Sequence, residues 1–297
     1  MSSYSRYGGG IGPHSALVCT DMSDPLALLP LAIAAGGGRI GAFTVSQLTA
    51  AGLTLLQRSA PLVRALAGRR SAILLPNGPA FLVALAASDG RGALLLDFRS
   101  SAELVARQLH ESDVGAVFTV ERLTPMLPAG TPVVLLDDAP RTARVIVPGR
   151  TMVVDLGSHH GLSLIGDTST EGRDEECIVS YTPLGVCERH THRALIADAR
   201  AAGARLLFTP VDHVLSLLPC SDPEALVVGL FAPLMAGARL SMQSPGNVRD
   251  ALGDAARDGV TMIAARWRTG SGVRVTAFSV ASAVQRLGDG SLWCDEV

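Results

Sequence analysis

Apolar positions along this chain follow two patterns that take turns. Ser71–Leu75, Ala93–Leu96 and Ala116–Val120 are short, nearly unbroken apolar runs, as expected of strands covered on both faces. Between them, Ala80–Ala87 and Ala102–His110 read as helices, the second with Ser101 as N-cap. This β-α-β-α-β order predicts a parallel sheet with right-handed crossovers. Upstream, Leu48, Leu55, Leu56, Leu62 and Leu66 lie near helical spacing across Ser46–Leu66. Pro61 is expected to split that helix, with Ser59 capping the second piece. Pro25–Ala35 reads as a short helix. Residues 121–175 are rich in Pro, Gly, Thr and Asp, with short strands at Val133–Leu136, Val145–Val147 and Met152–Asp155.

The second half repeats the alternation. It reads as strand Ile178–Tyr181, a helix from Thr191 to about Ala204, strand Val214–Pro219, helix Glu224–Ala236, strand Ala238–Met242, helix Asn247–Asp258 and strand Val260–Ala264. Thr276–Val280, Ala283–Leu287 and Ser291–Cys294 suggest one more βαβ-like unit closing the sheet. The expected fold class is α/β: two parallel-sheet subdomains flanked by helices, at 42–155 and 176–297. A linker at 156–175 joins them, and a poorly ordered segment at 1–41 precedes them.

Composition narrows the function. The chain has 297 residues, 48% of them hydrophobic, which allows one large or two modest domains. A net charge of −2 leaves no basic footprint for nucleic acid. No apolar run approaches the roughly 20 residues that span a bilayer. Leu26–Ala35 lacks a basic flank and contains Pro30, unlike a signal peptide. The five scattered cysteines, Cys19, Cys177, Cys187, Cys220 and Cys294, fit a reducing compartment, and a cytoplasmic location is expected. All 25 basic residues are arginine, a bias that a GC-rich genome explains. Its chemical consequence is that this chain has no lysine for phosphate contact or Schiff-base chemistry.

The stretch from Glu176 to Leu195 carries the candidate chemistry. It begins as a buried strand and ends with Thr191 as N-cap of a helix, with a short loop holding Gly185 between them. A loop leading into a helix start offers free N–H groups to phosphate. This stretch resembles the phosphate loop of the AMP-forming acyl-CoA synthetases and their adenylating relatives, roughly Tyr-Thr-Ser-Gly-Thr-Thr-Gly-x-Pro-Lys-Gly-Val followed by Thr-His-Arg. Tyr181-Thr182 opens the motif, and Thr191-His192-Arg193 closes it. The Ser-Gly-Thr-Thr-Gly run is absent, and Leu184 of Pro183-Leu184-Gly185-Val186 stands where the lysine stands. The resemblance extends in order over roughly residues 42 to 265, through Ala72–Phe81, Gly92-Ala93, Glu103–Leu109, Val214–Pro219 and Gly229–Ala238. Where the family places an aromatic and a histidine after Leu-Pro, this chain has Cys220-Ser221-Asp222-Pro223. The later family motifs, for adenine, ribose and a mobile C-terminal domain, are not found.

The resemblance implies the first two α/β subdomains of such an enzyme. It also implies ATP or AMP as the possible cofactor, at Tyr181, Thr182, Gly185, Arg189 and Thr191. The altered loop and the missing lysine lead to the expectation of a non-catalytic protein. Such a protein binds an acyl or adenylate-like molecule, or docks as a homodimer or on a partner synthetase or carrier protein. ATP-dependent activation of a carboxylic (fatty) acid, using arginines, is the alternative. Arg189 has Glu188 beside it, and a local ion pair is its plainer role. A third reading takes Cys177, Cys187, His190 and His192 as a zinc-held binding module, against Cys177 as a small buried hydrophobe. Gly36–Gly41 matches Gly-x-Gly-x-x-Gly by letter, but its setting suggests a turn. His159-His160 is read as a pair of solvated loop histidines. Gly161–Gly166 has one residue too many for a nucleophile elbow.

Overall fold

The computed structural model describes residues 29–88, 92–157, 176–182, 184–243, 253, 255, 257–269 and 272–282. The expectations for residues 1–28, for the linker and the histidine pair within 158–175, for Pro183, for most of the 247–258 helix and for 283–297 lie outside the described residues.

Two mostly parallel sheets form the frame. The strands of the larger one are β3 (Arg70–Leu74), β4 (Ala93–Leu95), β5 (Val114–Thr119), β6 (Val133–Leu136), β7 (Thr142–Val147), β8 (Arg150–Asp155), β9 (Glu176–Tyr181) and β10 (Cys187–Thr191). They run in the order β10-β9-β4-β3-β5-β6-β7-β8, parallel from β9 to β6 and antiparallel at both ends. The smaller sheet holds β1 (Arg39–Ile40), β2 (Phe43–Thr44), β11 (His213–Ser216), β12 (Arg239–Met242), β13 (Met262–Thr269) and β14 (Gly272–Ser279). Its order is β14-β13-β11-β12-β1-β2.

The expected helix breaks occur where local chemistry places them. Thr44 and Gln47 form a capping box that opens α2 (Val45–Arg58). Ser59 accepts from the Leu62 amide and starts α3 (Ala60–Leu66), with Pro61 in its first turn. Ser101 caps α5 (Ala102–Glu111) in the same way, and Thr191 caps α6 (His192–Leu206). The central strands are buried on both faces, and alternate residues enter different layers. Ala72 and Leu74 of β3 join Val105 and Leu109 of α5, whereas Ile73 faces the central core. That core lies between the sheets. It gathers Leu29 and Ile33 of α1 (Leu29–Ala35), Leu55 of α2, Phe81 of α4 (Ala80–Ala87) and Leu195 of α6. Phe231 joins them from a π-turn, Val227–Phe231, set between α7 (Pro223–Leu226) and α8 (Ala232–Met235). A smaller cluster including Leu217, Ile263 and Phe278 packs on the smaller sheet.

Sheet membership does not follow chain order. Residues 39–44, at the edge of the expected N-terminal segment, form an ordered hairpin that joins the smaller sheet through β12. Residues 176–191, at the head of the expected second subdomain, complete the larger sheet through β4. Of the expected closing unit, only the Thr276–Val280 strand falls within the described residues, as part of β14. β14 pairs antiparallel with β13 as a hairpin, because a two-residue connection is too short for a parallel crossover.

Asn77, in the turn after β3, ties the two sheets together. Its amide donates to the carbonyls of Leu218 at 2.7 Å and Gln243 at 2.9 Å, and accepts from the Cys220 N–H at 3.0 Å.

Candidate functional site

The stretch with the candidate motif folds as a hairpin. β10 pairs antiparallel with β9, so a whole strand separates the Gly185 turn from the start of α6. The expected phosphate cradle, a loop opening directly into a helix, is therefore not what this sequence builds. The turn is a compact three-residue connection. The Gly185 N–H donates to the Thr182 carbonyl at 2.8 Å, and the Thr182 N–H donates to the Val186 carbonyl at 2.9 Å. The Val186 N–H donates to Thr182 Oγ1 at 3.1 Å. Gly185 has φ +79, the left-handed residue that such a connection demands. Three of its amides are thus spent inside the turn. The side chain of Leu184, in the lysine's place, is 91% exposed.

Tyr181, Thr182 and Gly185 line a cleft of about 580 Å³ at the carboxyl ends of strands from both sheets, where open α/β folds place their ligands. One wall is the segment after β4, with Asp97, Arg99 and Ser100, together with Leu104 and Arg107 of α5. Another is Pro219 to Pro223, after β11. Arg266 of β13 and Glu188 of β10 complete it. Its charges are largely matched. Arg99 holds Asp97 at 2.7 Å, and Arg266 pairs with Asp222. Asp222 also caps α7 through the amides of Glu224 and Ala225. Burial raises the Asp97 pKa, but the Arg99 hydrogen bonds and charge outweigh it and hold the carboxyl below its ordinary value. The Tyr181 hydroxyl lies 3.1 Å from Ser112 Oγ. Burial pushes the phenol up, so it stays neutral at physiological pH. Arg107 has no ion-pair partner among the described residues.

The other two expected contacts lie elsewhere. Arg189 bonds to Glu176 at 3.0 Å and not to Glu188; Glu176 in turn holds Arg70 at 2.9 Å. That pulls Arg189 toward the amino end of the sheet, away from the turn. The Thr191 hydroxyl is used in capping α6. The zinc set does not converge. Cys177 is buried at one end of β9, while Cys187 is exposed at the other end of the hairpin, opposite Tyr181. His192 is buried and accepts from the Leu29 N–H at 3.0 Å. Among the described residues no three metal-ligating side chains come together. Burial drives the Cys177 and Cys220 thiols far up, away from thiolate chemistry.

Sequence reasoning missed the cleft's ion pairs. Asp97-Phe98-Arg99 directly follows a buried parallel strand, and Asp222 directly precedes a proline at a helix start. Both were local signals. Arg266 had none, because only the sheet topology brings it to Asp222.

No family model matches this chain. Solved structures do share its fold. The nonribosomal peptide synthetase FmoA3 matches 79% of this chain and 25% of its own length, at 21% identity and TM-score 0.59. The anthranilate CoA ligase AuaEII, in complex with anthranoyl-AMP, matches 79% of this chain and 48% of its own, at 13% identity and TM-score 0.60. The O-succinylbenzoate CoA synthetase MenE of Bacillus subtilis matches 80% and 50%, at 18% identity and TM-score 0.54. This chain spans a quarter to a half of those lengths. No helix among the described residues is long and apolar enough to cross a membrane. At such identities the likeness is one of architecture, and the architecture is that of the N-terminal domain of the adenylate-forming enzymes.

Proposed function

We propose that this chain is a non-catalytic protein that binds an acyl or adenylate-like small molecule in the cleft between its two sheets. The observation that carries this reading is the Thr182–Val186 turn, three of whose amides bond to the turn itself. Phosphoryl and adenylyl transfer rest on preorganised donors aimed at developing charge. Losing one such donor costs roughly 3–4 kcal/mol, or about 10²–10³ in rate. Here three of the loop amides are occupied, the chain has no lysine, and two cleft arginines are held by aspartates. A triphosphate would have to break those pairs. A smaller adenylate asks less, and among the fold neighbours FmoA3 was solved with alpha-methyl-L-serine-AMP and AuaEII with anthranoyl-AMP. The second reading, ATP-dependent activation of a carboxylic acid, is favoured by Arg107, which lines the cleft with no ion-pair partner among the described residues.

ATP–pyrophosphate exchange over a panel of fatty and aromatic acids, with calorimetry against a non-hydrolysable acyl-adenylate, tests both parts. The expected result is background exchange with saturable binding of about one ligand per chain. Clear exchange overturns the non-catalytic part, and absence of binding heat at millimolar ligand overturns the binding part.

A further inference from the structure

A second cavity, of about 550 Å³, lies apart from the cleft and shares no lining residue with it among those described. Its size suits a small molecule, and Ile40, Phe43, Leu240 and Val260 give it apolar walls. Ser241 of β12 lines it, half-buried. The parallel register sets His213 of β11 opposite Arg239, and Leu215 opposite Ser241. Residues two apart share a face of the sheet, so His213 and Ser241 meet on the diagonal. The Ser241 hydroxyl donates to His213 Nε2 at 2.8 Å, and Nδ1–H donates to the Asp258 carbonyl at 3.2 Å. The backbone of His213 is fixed as well. Its N–H donates to Thr261 Oγ1 at 3.1 Å, and its carbonyl accepts from the Thr261 N–H at 2.8 Å. The ring is buried, and burial favours its neutral, basic form. A hydroxyl within reach of a base, with a third group orienting that base, is the arrangement that activates a nucleophile.

An amide beside the serine is also open. The Arg239 N–H donates to the Asp212 carbonyl at 2.9 Å, and the Gln243 N–H to the Ser216 carbonyl at 3.0 Å. Odd residues of β12 therefore bond toward β11, and even ones toward β1. On that side the last bond runs from the Gly41 N–H to the Leu240 carbonyl at 3.1 Å. Gly41, at φ +56, then turns the chain away into β2. The next even amide, that of Met242, has no acceptor there among the described residues. The amide after a nucleophile is one that acyl-transfer sites use for the developing oxyanion.

We propose that Ser241 is an acylation site, taking the acyl group of an activated ester or thioester whose apolar chain enters this cavity. Ser241 Oγ bonds to the acyl carbon as its proton passes to His213 Nε2. The bond from that carbon to the departing oxygen or sulfur breaks, and the proton leaves with it. One acyl group per chain is stoichiometric transfer and not turnover. The site does not depend on what the cleft binds.

The probe is p-nitrophenyl butyrate with the full chain. It should give a burst of about one equivalent of p-nitrophenolate per chain, and peptide mapping should find a butyryl group on Ser241. Ser241→Ala should remove the burst, and His213→Gln should slow it about 100-fold or more. Circular dichroism checks that each variant is folded. If His213→Gln does not fold, the wild-type chain in urea replaces it, because unfolding parts the serine from its base and should abolish the label. Absence of a butyryl group on Ser241 overturns the proposal. So does a burst that folded Ser241→Ala leaves unchanged, or a labelling rate that neither folded His213→Gln nor urea lowers.

Discussion

Asn77 shows how much one side chain can hold. Its amide uses both donor hydrogens and its acceptor on backbone groups from the far sheet. Those groups lie next to the cleft wall, so the bonds set that wall's position as well as the join. Asn77→Ala leaves two carbonyls and one N–H short of partners. The expected loss is about 2–4 kcal/mol, read as a lower urea midpoint with unchanged m-value. His213 is a second single-residue control. The Asp258 carbonyl can only accept, so Nδ1 carries the proton at 3.2 Å, and Nε2 accepts from the Ser241 hydroxyl at 2.8 Å. Burial first, and then the Arg239 charge, push this imidazole's pKa below its ordinary value. The unfolded chain thus binds the proton more readily than the folded one. Stability contributed by neutral His213 is complete above about pH 6.5 and is lost as pH falls below it. Denaturant titrations from pH 7.5 down to 5 should show that decline, and His213→Gln should flatten it.

At the scale of elements, the β9–β10 hairpin decides what the motif can do. Gly185 is needed for its backbone and not for space: φ is +79, and a methyl group there would meet nothing within 4 Å. Gly115 in β5 is the reverse. A methyl group there would lie 2.0 Å from the Ala65 carbonyl oxygen, at the end of α3. Gly185→Ala should therefore cost about 1–2 kcal/mol of left-handed strain. Gly115→Ala should cost about 3 kcal/mol or more through displaced backbone. Thermal unfolding of the two variants side by side checks the order. If the milder Gly185→Ala also lowers ligand affinity in the cleft, the turn's shape contributes to binding as well as to stability.

For the whole molecule, the helix caps, the apolar runs and the βα alternation were legible because each is set by neighbours in sequence. Ser59, Ser101 and Thr191 cap where their side chains reach amides three residues on. Continuous apolar runs became strands buried on both faces, since a parallel sheet covered by helices leaves them no wet side. Of the five expected ligand contacts, Tyr181, Thr182 and Gly185 reach the cleft because they end a central parallel strand, a place readable from local pattern. Arg189 and Thr191 do not line it, because strand parity and a cap claim them. The sequence by itself determined the class of fold, the breaks and caps of the helices over 45–66, 102–111 and 192–206, and the absence of lysine. Only the tertiary structure decided which sheet residues 39–44 and 176–191 join, that Arg266 meets Asp222, and that the turn's amides close on themselves. Those outcomes depend on which strands pair, β1 with β12, β4 with β9 and β9 with β10, and on an ion pair 44 residues apart, none of which leaves a periodicity in the chain to read.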